Sequence, residues 1–127
     1  MDISVVNMEE FTRNLDNESP FVMLNLLKFK TDDGFDRYKR YLANASGIVS
    51  DVGARVIYMG KPNEMLQGQE TWDFIMLVEY PSRKAFMEMI NNHAYQEIHK
   101  DRISSTERAV LYVTEPLPSK TVVKGSK

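Results

Sequence analysis

The sequence predicts an α+β domain in which the elements run strand, helix, strand, strand, helix, strand behind a short N-terminal helix. Three observations carry this. Residues 21–30 read FVMLNLLKFK, a run that at period two is apolar on both faces. Phe35, Tyr38, Leu42, Ala45, Val49 and Val52 recur at spacings of 3, 4, 3, 4 and 3, the stripe of an amphipathic helix. Residues 72–80 read WDFIMLVEY, a further strand that is mainly apolar on both faces.

Taken in order, the first helix is expected over Met8 to Asn17, with Asn7 as its cap, Glu10 completing a capping box, and Val6 and Phe11 at staple positions. Pro20 then opens the first strand, where its missing N–H does little harm. Asp32-Asp33-Gly34 makes a turn into the long helix, which Gly53 ends. Ala54 to Gly60 reads as the second strand, and the polar stretch 61–71 as a loop or loose hairpin arm. Pro81 stops the third strand, and Ser82 caps the next helix, where Phe86 and Ile90 continue one stripe. Asn91-Asn92 breaks it, and a second helical segment carries Ala94, Tyr95, Ile98 and Ile103. The fourth strand covers Arg108 to Thr114. The expected organisation is therefore a lead-in at 1–19, one domain at 20–116 and a polar, basic, disordered tail at 117–127.

This order is the split βαβ, or ferredoxin-like, pattern. Right-handed crossovers place both helices on one face of a four-stranded antiparallel sheet, with the first and third strands central. The opposite face still carries large apolar side chains, and a patch of that size does not stay wet. A second copy of the chain is the economical cover, so a homodimer packed sheet to sheet is expected.

Composition narrows the function. The chain has 127 residues, 16 Lys+Arg against 18 Asp+Glu and no basic block, which argues against nucleic acid as a partner. Without cysteine there is no disulfide, thiolate metal site or Cys nucleophile. No apolar run spans a membrane, and the acidic residues among 1–19 spoil a signal peptide, so a cytoplasmic location is expected. A Gly-rich phosphate loop, a dinucleotide fingerprint, a Ser elbow and His-Glu-x-x-His spacing are all missing.

A few residues stand out as candidates for a site. Asn25 is an amide in mid-strand between Met23 and Leu27, and a buried amide must meet a backbone group, water or a ligand. His99 is one of two histidines, and Arg102 follows it by three, so the two share a helix face if that helix continues. Arg55 and Arg102 are suited to hold a carboxylate or enolate oxygen, Trp72 to stack on a planar ligand, and Tyr95 to offer a hydroxyl. Asn25 and His99 are the candidates for catalysis, while Trp72, Arg55, Tyr95 and Arg102 are those for ligand binding; no metal site is expected.

The segments PFVMLNLLKF, GARVIYMG, WDFIMLVEYPSRKAFMEM and AYQEIHKDR resemble the family catalogued as domain of unknown function 1330, over about Pro20 to Glu115. That resemblance implies the dimeric α+β barrel superfamily, which holds cofactor-free monooxygenases, isomerases, haem-degrading enzymes and proteins without a known reaction. The family carries no settled activity, and fold alone does not choose among these. The segment around His99 is similar to the one that carries the axial histidine in the haem-degrading members, and Asn25 falls where they keep an asparagine. Met89 stands where they keep a tryptophan, which is a departure. The expectation is thus a small apolar or aromatic ligand bound between sheet and helices, with cofactor-free oxygenase or isomerase-type chemistry. The alternatives are a non-catalytic homodimeric binding domain and, third, a haem-binding protein; no other cofactor is implied.

Overall fold

The computed structural model describes residues 8–118. Its elements are α1 (Met8–Arg13), β1 (Phe21–Phe29), α2 (Gly34–Asp51), β2 (Arg55–Gly60), β3 (Phe74–Tyr80), α3 (Arg83–Ile90), α4 (His93–Ser105) and β4 (Thr106–Thr114). The strands form one antiparallel sheet in the order β2-β3-β1-β4, with β1 and β3 in the middle as the apolar pattern requires. This is the expected ferredoxin-like α+β fold with an additional N-terminal helix. Asn7 and Val6, the expected cap and staple, and residues 119–127 of the expected tail lie outside the described residues.

Pleating divides β1 into two faces. Phe21, Met23, Asn25, Leu27 and Phe29 are buried, whereas Val22, Leu24, Leu26 and Lys28 are half-buried. The register pairs Met23 with Val78, Asn25 with Met76 and Leu27 with Phe74, and directly opposed residues share a face. The buried face therefore continues across β3 and is the one the helices cover. The other face carries Val22, Leu24, Leu26, Ile75, Leu77, Val110 and Tyr112 in adjoining strands.

α1 sits on the helix side. The Phe11 ring packs edge-on against Phe21 at 5.9 Å and Phe86 at 5.3 Å, so this helix leaves the opposite face of the sheet open. It is shorter than expected and ends at Arg13 instead of Asn17. The chain then tightens into a turn, with the Asn14 N–H on the Phe11 carbonyl at 3.1 Å and the Leu15 N–H on that of Thr12 at 3.3 Å, while the Asn14 amide bonds back to the Glu10 carbonyl at 3.2 Å.

Capping residues set most other boundaries. Ser82 accepts from the Ala85 N–H at 3.1 Å, and Asn92 accepts from Tyr95 N–H at 3.0 Å, so Asn92 starts α4 as well as breaking the helical run. Gly53 follows α2 at φ 84°, a conformation that suits glycine. β3 begins at Phe74 and not at Trp72, because Asp73 turns its carboxylate onto the Phe29 N–H at 2.9 Å. β4 begins two residues early, at Thr106, directly out of α4. In α2 the buried positions are Gly34, Tyr38, Tyr41 and Ala45, while Phe35 is largely exposed. The stripe is thus rotated towards Tyr41 relative to the sequence reading.

Candidate functional site

The helix side of the sheet closes over a cavity of roughly 120 Å³. Its floor is Met23 and Asn25 of β1 with Met76, Val78 and Tyr80 of β3. α2 contributes Tyr41, Leu42, Ala45 and Val49; α3 contributes Phe86, Met89 and Ile90; α4 contributes Tyr95, His99 and Arg102. An engineered apolar cavity of about 150 Å³ holds benzene, so this volume is of the order that takes one small ring.

The polar groups come from two elements. Along α4, Tyr95, His99 and Arg102 are spaced four and three apart, which puts them on one face; all three are buried. This meets the condition that the helix run unbroken from His99 to Arg102. His99 is 4% exposed and Arg102 7%, so neither is the surface residue that such types ordinarily are. From β1, Asn25 is 5% exposed and faces them. Arg102 Nη2 donates to Asn25 Oδ1 at 3.4 Å. Asn25 Nδ2 reaches the Met23 and Met76 carbonyls at 3.5 Å each. All three contacts are at the long limit for hydrogen bonds, so the amide and the guanidinium are held loosely and retain capacity for a tighter partner.

The tyrosines are bound more firmly. The Tyr41 and Tyr95 hydroxyls are 2.7 Å apart, and the Tyr95 ring lies 5.5 Å from the His99 ring. The Tyr80 hydroxyl donates to Met89 Sδ at 3.8 Å. Burial raises the hydroxyl pKa of Tyr41, Tyr80 and Tyr95 above the ordinary phenol value, and the Arg102 charge opposes that rise without cancelling it. These hydroxyls are neutral at working pH. No Asp or Glu lines the cavity, and no three His, Cys, Asp or Glu side chains group as a metal site among the described residues.

Four of the six sequence candidates, Asn25, His99, Tyr95 and Arg102, meet in this cavity. Two lie elsewhere. Trp72 precedes β3 and lies under the Arg108 guanidinium, 4.5 Å from its ring centre. Arg55 opposes Glu79 in the sheet and bonds its carboxylate at 2.8 Å. Tyr41 also lines the cavity and is not among the sequence candidates; its signal is its position four before Ala45, on the same helix face.

A family model described as Domain of unknown function (DUF1330) matches residues 24–116. Among solved structures, a protein of unknown function from Rhodopseudomonas palustris is 32% identical, with a TM-score of 0.81 over 88% of this chain and 92% of that one. A dimeric ferredoxin-like protein of unknown function from Jannaschia sp. CCS1 is 14% identical, with a TM-score of 0.64 over 77% of this chain and 100% of that one. A dimeric protein of unknown function and ferredoxin-like fold from Bacteroides fragilis is 13% identical, with a TM-score of 0.56 over 76% of this chain and 96% of that one. No curated protein matches the chain.

Proposed function

The chain belongs to the domain of unknown function 1330 family, and from that premise we propose that it binds a small, flat, mainly apolar molecule in the cavity and moves a proton at an activated carbonyl there. One observation carries the reading: three buried polar side chains, Asn25, His99 and Arg102, line a single cavity whose remaining wall is mostly apolar. A ring held between the sheet floor and α3 presents its carbonyl oxygen to Asn25 Nδ2 and Arg102. His99 takes a proton from the carbon next to that carbonyl, and the charge that develops moves onto the oxygen. The Asn25 N–H and the guanidinium are already in place to hold it. Return of the proton to a different carbon completes an isomerisation; attack of the same enolate on dioxygen starts a cofactor-free oxygenation.

The second reading is a non-catalytic homodimeric binding domain, and it is favoured by the contacts that Asn25 already makes to three protein groups. Haem fits the site poorly. Asn25 and His99 are both at the cavity, but Met89 fills the position of the expected tryptophan and the volume suits one ring, not a porphyrin.

The assembly proposed with this function is a homodimer in which the open faces of two sheets pack together, as the apolar side chains of β1 and β3 on that face favour. The related structures from Jannaschia and Bacteroides are described as dimeric, which supports it.

A thermal-shift screen of small aromatic and enolisable carbonyl compounds, with haemin in the panel, tests the reading. A hit is expected whose binding or turnover falls in Asn25→Ala and His99→Ala, while haemin gives no saturable Soret shift. If both variants retain full binding and turnover of an identified ligand, the reading fails. A measured turnover excludes the non-catalytic alternative.

A further inference from the structure

The charge balance of the cavity goes further than its shape. Arg102 is buried in the last turn of α4, yet among the described residues it takes part in no ion pair. Among the described residues its side-chain acceptor is the neutral Asn25 amide, at 3.4 Å. The exposed arginines differ: Arg40 bonds the Asp101 carboxylate and Arg55 that of Glu79. Arg83, also buried, lies over the Phe11 and Phe21 rings at 5.9 and 5.5 Å. A buried cation without an opposite charge is costly and persists where something else compensates it. The carbonyl ends of α4 offset part of that charge, not the whole of it.

The other polar groups point the same way. In the Tyr41–Tyr95 pair one hydroxyl donates to the other, so the second keeps a proton to offer. The Asn25 amide nitrogen has only its two 3.5 Å contacts. The cavity thus presents donors and one fixed positive charge, and no carboxylate acceptor.

We infer that the natural ligand is an anion: a planar, ring-sized molecule that sets a carboxylate or enolate oxygen against the Arg102 guanidinium. This rests on the reading of the cavity as a ligand site and names the class of molecule it selects. The guanidinium fork matches two anionic oxygens in one plane, which a neutral ring of equal size does not supply.

Three probes of one shape and different charge test it: benzoate, benzamide and benzamidine, titrated into the wild-type protein by calorimetry near neutral pH. Benzoate is expected to bind about tenfold more tightly than benzamide, and benzamidine more weakly than either. Arg102→Met is expected to erase the preference, benzoate losing more affinity than benzamide until the two bind alike, and Arg102→Lys to retain part of it. The wild-type comparison and Arg102→Lys decide the matter if Arg102→Met does not fold. Equal binding of benzoate and benzamide to the wild type overturns the anion inference and leaves the apolar-cavity reading intact. Unchanged benzoate affinity in Arg102→Met overturns it too, since the anion is then held elsewhere. Failure of all three probes to bind removes the cavity reading along with it.

Discussion

Tyr38, Tyr41, Tyr80 and Tyr95 are buried in the helix-side core, and together they determine how the protein meets alkali. Desolvation holds the hydroxyl pKa of each above the ordinary value of 10.0. A raised folded-state pKa means that above pH ~10 the unfolded chain releases protons that the folded chain keeps, so stability falls as pH rises past that point. Unfolding is therefore expected to set in above pH ~10, with the 295 nm phenolate absorbance of these side chains rising together with loss of the far-ultraviolet circular dichroism. Their gradual ionisation inside a protein that stays folded would show that the burial is wrong. At the same scale, Asn25 was legible because one amide interrupts an otherwise apolar strand face. The burial of His99 and Arg102 was not, since both types usually sit in water and only the packing of α4 onto the sheet takes them out of it. Trp72 and Arg55 lie apart from that cavity, the one packed under Arg108 and the other bonded to Glu79, neighbours that residue type alone does not reveal.

Among the elements, α4 carries most of the site and has the least regular apolar pattern. Its buried face is Tyr95, His99, Arg102 and Ser105, which no hydrophobic periodicity announces. It packs along α2, where Tyr95 meets Tyr41, and both of its ends are fixed. Asn92 caps the start, and at the finish the Ser105 hydroxyl donates to the Arg102 carbonyl at 2.7 Å while the Ser105 carbonyl accepts the Lys30 N–H at 2.9 Å. Gly34 belongs to the same junction, because a Cβ there would come within 2.5 Å of the Ser105 carbonyl oxygen. Asn92→Ala is expected to cost about 1 kcal/mol of stability in urea unfolding and to weaken ligand binding through Tyr95, the residue next to the lost cap contact. A neutral result in both measurements would place the support of α4 elsewhere. The strands, by contrast, were legible almost to the residue, because β1 and β3 are central and their two-sided apolar character appears directly in the sequence. The end of α1 is less legible, because a capping signal specifies where a helix starts and not where its last turn tightens.

For the whole molecule, the two faces of one sheet are unequally covered. Helices cover Phe21, Met23, Asn25, Leu27 and Phe29, and nothing within the described residues covers Leu24, Leu26 and Leu77 to the same degree. Tyr58, 53% exposed, and Tyr112, 65% exposed, extend the open side on the outer strands. Leu24→Lys is expected to yield monomers or insoluble protein, read by sedimentation equilibrium at micromolar concentration against a wild type of twice the chain mass. A wild-type mass of one chain contradicts the sheet-to-sheet dimer. No helix among the described residues is long and apolar enough to cross a membrane.

Asn25 stands between Leu24 and Leu26 on one strand, and alternation sends its side chain to the opposite side from theirs. If Asn25 meets the ligand and its two neighbours meet a second sheet, as proposed, selection can exchange the first without touching the others, and a substitution of one kind does not compel one of the other. Such separability within three consecutive codons would give a lineage room to change its chemistry without first losing its quaternary structure. On this account, diversification of the family would be concentrated at the odd-numbered positions of β1, with the even-numbered ones drifting only among apolar residues.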